Sequence, residues 1–263
     1  MSRYPIDRRQ FLTLPLAVLL APAAAVHAEI QSRRALYEVD AGILYDLLSV
    51  HLQGTLDETV DAEAGRYEVK IGGQGAGIAN RVESMGTLRG GRWAPLRTTS
   101  WFQVRGRESR SEVAYDYRKG VIDYHFRGET FLLRRLRVVN DLVPIPEGTH
   151  VDDVFSATLN HAERRWVAQG DGMLRTTVVR RKRSSREGPD DVEKVYRAEL
   201  IPFVLKLDPS GEKSTALCDL TPFSSWAKTD QPARIVFGPD RRPESISSSL
   251  MLGTSVSIRF KPV

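Results

Sequence analysis

From Glu29 onward the apolar residues recur with period two, which sets alternate side chains on opposite faces of a strand. In Val121 to Phe126, Ile122, Tyr124 and Phe126 share one face while Val121, Asp123 and His125 take the other. Leu174, Thr176 and Val178 oppose Arg175, Thr177 and Val179 in the same way, and Val256, Ile258 and Phe260 oppose Ser255, Ser257 and Arg259. Turn signals separate the runs: Glu63-Ala64-Gly65, Gly72-Gly73, Arg89-Gly90-Gly91, Lys119-Gly120, Gly188-Pro189, Pro209-Ser210-Gly211 and Gly238-Pro239-Asp240. Many short, half-buried strands joined by tight turns predict a mainly β chain folded as an antiparallel, curved or barrel-like sheet.

One segment breaks the period. From Asp152 to Val167 there is no Gly or Pro, and Phe155, Leu159, Ala162 and Trp166 fall on one stripe of an amphipathic helix. The spacing predicts a central helix over about 152–167, capped by Thr149 or Asp152, with Arg164 and Arg165 near its end as the helix dipole favours. Its stripe is expected to cover one end or mouth of the curved sheet.

The residues before Glu29 follow another pattern. Asp7-Arg8-Arg9-Gln10-Phe11-Leu12 leads into an uncharged apolar run, Leu12 to Val26, and Val26-His27-Ala28 offers a cleavage site. This reads as a twin-arginine export signal removed after Ala28, and the run is shorter than the roughly 20 residues of a membrane-spanning helix. Residues 29–263 are then a single periplasmic domain without a transmembrane anchor. Loss of the signal lowers the net charge from +5 to +3, a mild basic balance that leaves room for an anionic envelope surface and argues against nucleic acid. The one cysteine, Cys218, excludes an internal disulfide.

In order, Tyr37 to Ile43, Gly65-Arg66-Tyr67-Glu68-Val69, Gly86 to Pro95, Ala114 to Phe126, Asp152 to Ala157, and Asp240 to Pro243 followed by Leu252-Gly253 resemble the bacterial exported family called domain of unknown function 3108. The most telling piece is Asp153-Val154-Phe155-Ser156-Ala157, because in that family an Asp, two residues, Ser-Ala element opens a helix midway through a β domain. The stretch Arg180 to Val192 departs from the family as a longer, more basic loop. The resemblance implies a periplasmic or outer-envelope barrel, similar to lipoprotein carriers that hold acyl chains. It implies no reaction and transfers no residue role.

Motifs for chemistry are sparse. Gly72-Gly73-Gln74-Gly75-Ala76-Gly77 lacks the following helix and the Lys-Ser or Lys-Thr of a phosphate loop, so it reads as a flexible connection. His51, His125, His150 and His161 show no metal spacing, and His150 with Asp152 and Asp153 is explained by capping. His125 and Asp123 share a strand face to which another strand would have to add a third ligand. Ser210-Gly211-Glu212-Lys213 lies in a turn, not at the start of a helix, and Cys218 reads as a packed thiol. No catalytic residue, metal or cofactor is expected.

Two groups remain. Arg180-Arg181-Lys182-Arg183 opens a run of five positive charges in seven residues, either a tip that meets anionic phosphates or a solvated hairpin loop. Trp93, Trp101, Phe102, Tyr115, Tyr117, Tyr124, Phe126 and Phe131 crowd neighbouring strands, so one wall is aromatic and either fills the core or lines a cavity. The leading expectation is a binding protein for an apolar or lipid-like ligand or a lipidated partner, with Trp101, Tyr115, Tyr117, Tyr124, Phe126, Phe155 and Trp166 as its contacts. The alternatives are a non-catalytic envelope scaffold or assembly factor that binds protein or anionic polymer, and a metal-dependent periplasmic enzyme.

Overall fold

The computed structural model describes residues 30–43, 48–130, 133–166, 168, 170–184, 187, 188, 190–208, 214–228 and 230–263. The segment read as an export signal, Phe131, Arg186 and Ser210 to Lys213 lie outside the described residues. The first eight strands are β1 (Gln31–Ile43), β2 (Leu48–Asp61), β3 (Arg66–Gly75), β4 (Ile78–Arg89), β5 (Arg92–Val104), β6 (Arg107–Asp116), β7 (Val121–Glu129) and β8 (Leu136–Pro144). Strand β9 (Val151–Asp152) and helix α1 (Val154–Ala162) follow, then β10 (Met173–Arg181), β11 (Ala198–Asp208), β12 (Thr215–Cys218), β13 (Ala233–Phe237), β14 (Pro243–Ser249) and β15 (Ser255–Pro262).

All the strands belong to one sheet in which sequence neighbours pair, and β1 pairs with β15 to join the two ends of the chain. Every pairing is antiparallel except β9 with β10. The ends of the sheet curl toward each other. Asp141 on β8 accepts hydrogen bonds from Ala198 N, at the start of β11, at 2.8 Å and from Arg197 at 3.1 Å, while Arg137 meets Glu187 at 3.3 Å. Side chains close the barrel-like form where no ladder does.

The alternation read from the sequence holds in the strands. Ile122 and Tyr124 are buried on β7, Leu174 and Thr176 on β10, and Ile258 and Phe260 face inward on β15. Gly90 and Gly91 both have positive φ (57° and 79°) in the two-residue turn between β4 and β5, the twist that a tight hairpin needs. Gly72 and Gly73 are no turn; they lie within β3. The Tyr37 ring lies over Gly54 and Gly73, its cross-strand neighbours, where any Cβ would collide with it. The glycines make room for an aromatic ring inside the wall.

The helix is shorter than its sequence stripe. It stops at Ala162 in a Schellman turn: Arg164 adopts φ 57°, its N–H reaches His161 O at 3.2 Å, and Arg165 N reaches Asn160 O at 2.8 Å. That left-handed position is usually glycine, and an arginine there gives no stop signal in the sequence. Trp166 therefore packs from beyond the helix. The cap is Asp153, neither Thr149 nor Asp152, and it forms a reciprocal box with Ser156.

Helix α1 divides the interior. Phe155 and Leu159 pack with Val60, Tyr67, Val69 and Trp93, while Ala157 joins Trp166, Leu174, Leu205, Cys218 and Phe237. A third cluster, Val113, Tyr115, Ile122, Tyr124, Val139, Val143, Val151 and Tyr196, fills the space between β6–β8 and the β10–β11 hairpin.

Candidate functional site

The polar side of α1 is buried as well. Asp152 is wholly inaccessible, and five side chains donate to its carboxylate. Arg92 (2.8 Å) and Thr176 (2.5 Å) reach Oδ2; Ser156 (2.8 Å), Asn160 (2.9 Å) and His150 (3.1 Å) reach Oδ1. Asp153 uses Oδ1 for the helix cap and accepts from Ser84 at 2.5 Å and Thr98 at 2.6 Å on Oδ2. Asn160 completes the frame. Its amide accepts from Trp93 N at 2.7 Å and donates to Trp93 O at 2.8 Å, at a stretch of β5 that β6 does not reach. Every acceptor has its donors, so the network is an anchor that holds the helix at a fixed height.

What the anchor positions is a chamber. Between α1 and the inner faces of β1–β4, β14 and β15 lies a cavity of about 300 Å³, lined by Val39, Leu56, Val69, Ile71, Val82, Phe155, Ile246, Ile258 and Phe260. Val154, 67% exposed, and Thr158 complete its helix side. Polar groups are few and paired: Tyr37 Oη donates to Asn80 Oδ1 at 2.6 Å, Arg242 forms a two-pronged bond with Glu58, and Arg33 meets Asp240 at 3.4 Å. Burial raises the Tyr37 hydroxyl above its ordinary pKa, so it stays a donor at neutral pH. The chamber is an apolar slot with a charged pair at one end.

Of the aromatic residues expected to contact a ligand, Phe155 alone lines this chamber. Tyr115, Tyr117, Tyr124 and Phe126 belong to the β6–β8 cluster, where Tyr115 and Tyr117 stack at 6.3 Å and Arg89 lies over Tyr117 at 4.7 Å. Trp166 donates to Arg175 O at 2.9 Å and faces Phe203 in the second cluster. Those rings fill core. Trp101 is on the opposite face of the sheet, paired between Arg81 and Arg110. The actual lining, Val39, Leu56, Ile71, Val82 and Ile258, consists of ordinary strand residues. Their only sequence signal is alternation.

The basic run is largely tied into the protein. Arg180 bonds Glu199 at 2.6 Å and Pro222 O; Arg181 makes two bonds to Glu187 and covers Tyr196; Arg183 donates to Thr221 O at 3.1 Å. Lys182 alone of the four is exposed. Burial lowers the Arg183 pKa, a further sign of a guanidinium used internally. Among the described residues no cluster of three His, Cys, Asp or Glu side chains is placed to hold a metal. His125 meets Asp123 at 2.9 Å and Asn140 at 2.8 Å, and burial pushes the Cys218 thiol up to about 12. A protonated, packed thiol is no nucleophile.

Neither a family model nor a curated protein matches the chain. Among solved structures, a β-barrel-like protein of domain of unknown function DUF1849 from Brucella abortus is similar, with a TM-score of 0.40 and 9% identity over 88% of this chain and 95% of that one. The resemblance to domain of unknown function 3108 rests on its short motifs.

Proposed function

We propose that this chain is an exported, periplasmic β-barrel-like binding protein whose chamber beside α1 receives an apolar or lipid-like ligand or the lipid of a modified partner. The observation that carries the reading is the chamber itself: about 300 Å³ of space walled by aliphatic and aromatic side chains, in a domain whose other interior clusters are packed. That volume is at the small end of the roughly 300–1,000 Å³ of small-molecule sites, which suits one slender chain better than a bulky ring system. A slender ligand would lie against Val39, Ile71, Val82 and Ile258, with its polar end toward Arg33 and the Arg242–Glu58 pair. Contact with the chamber wall supplies affinity through apolar area removed from water; the charged end orients the ligand.

Fluorescence titration with 11-(dansylamino)undecanoic acid tests this directly. The wild-type chain should saturate with a blue-shifted emission, and Val82→Phe or Val39→Phe, which fill the chamber, should weaken binding by about tenfold or more. Absent saturation, or affinity indifferent to both fillings, would overturn the proposal.

A further inference from the structure

The outer face of the same wall carries a second arrangement. Because Leu56, Ile71 and Val82 point into the chamber, their chain neighbours Thr55, Gly72 and Arg81 point outward. Thr55, Gly72, Arg81, Trp101, Arg110 and Arg127 are successive cross-strand partners from β2 to β7, so they form one row across the sheet. A parallel row two residues along places Gln53, Gln74 and Ala79 beside it.

Side-chain size shapes this surface. Gly72 and Ala79 leave a floor of backbone, and a trough of about 510 Å³ opens there between Gln53, Gln74, Thr55, Arg81 and one side of Trp101. A second hollow of about 360 Å³ lies against Trp101 between Arg81 and Arg110. The indole is thus a ridge with space on both sides and a guanidinium on either flank. Arg110 also meets Glu108 at 2.9 Å, whereas Arg81 has no ion pair among the described residues.

We infer that this outer face binds an acidic saccharide, a chain of hydroxyl-bearing rings with carboxylates, at a site separate from the apolar chamber. Each part of the surface matches one part of such a ligand. The Trp101 ridge offers an apolar, polar-tipped platform for a sugar ring. The guanidiniums of Arg81 and Arg110 present paired donors that match carboxylate geometry. Gln53, Gln74 and Thr55 supply donors and acceptors for hydroxyls along the rim. From Thr55 to Arg110 the row crosses four strand spacings, about 19 Å, which is room for an oligomer. A single-stranded nucleic acid would need successive aromatic platforms, and among the described residues this row offers one, Trp101.

The test is calorimetric titration of the full chain with tetragalacturonic acid, with maltotetraose, tetrapolyphosphate and an octathymidylate as comparators. The saccharide should bind, and more weakly as salt rises. Trp101→Ala and Arg81→Gln should each weaken it about tenfold. Gly72→Val is the cleanest variant, since a Cβ at that position meets open space; it should fill the trough, keep the wild-type melting temperature and still weaken the saccharide about tenfold. No binding, equal affinity for maltotetraose, tetrapolyphosphate or octathymidylate, or affinity unchanged in a folded Gly72→Val chain would each overturn the inference.

Discussion

Asp152 shows how far one residue's role depends on distant chain. It is adjacent to the helix cap and reads in sequence as part of it, yet three of its five partners, Arg92, Thr176 and Asn160, come from other turns and strands. Removing water from a carboxylate is costly, and here a full set of donors, including Arg92, offsets that cost. Truncation strands those donors. Asp152→Ala is expected to lower stability in urea unfolding by about 3–5 kcal/mol, the range for breaking a buried charge pair. A loss below about 1 kcal/mol would mean that the frame does not hold the helix. The helix start near residue 152 was legible from the change of period, but the cap fell on Asp153 and not on Thr149 or Asp152, because which of several neighbouring polar side chains turns back onto the helix depends on the backbone at its start. Convergence of Arg92, Thr176, Ser84 and Thr98 was not legible, since it depends on strand placement.

Among the elements, strand alternation was the most readable feature and the helix end the least. The inward faces of β7, β10 and β15 follow directly from period two, whereas α1 ends at an arginine in a conformation that sequence assigns to glycine. The aromatic crowding on β5–β7 was visible too, but whether a ring fills core or lines space depends on what lies across from it. For Tyr115 and Tyr124 that is Val139, Val143 and Tyr196. Trp101 differs because its position along β5 places it on the outward face.

The contact between β8 and β11 closes the sheet through Asp141. The Ala198 N–H, and after it Arg197, hold this carboxyl below the ordinary aspartate range. A depressed folded pKa gives stability that is complete above the unfolded value of about 3.9 and is lost as pH falls through the lower folded one. Hydrogen exchange should therefore show protection at Ala198 in the wild type at neutral pH, falling below about pH 4, while Asp141→Asn should lose much of it at pH 7. Protection that is the same at both pH values in both chains would remove Asp141 as the clasp.

At the scale of the molecule, one curled sheet carries packed clusters on either side of a buried helix, and the apolar chamber opens beside β1–β4, β14 and β15. Sequential pairing of antiparallel neighbours made that architecture legible, because each connection returns the chain to the strand just completed. The chamber was not legible, since it depends on where Phe155 stops and the opposing wall begins. Its occupation is the central claim. Photolabelling of the full chain with a diazirine-bearing dodecanoic acid, followed by peptide mass mapping, measures it most directly. Adducts should fall on the peptides holding Val39, Leu56, Ile71, Val82, Phe155 and Ile258 and disappear when unlabelled dodecanoate competes. Adducts confined to the outer face or to the Tyr115–Phe126 cluster, or none that dodecanoate displaces, would contradict the account.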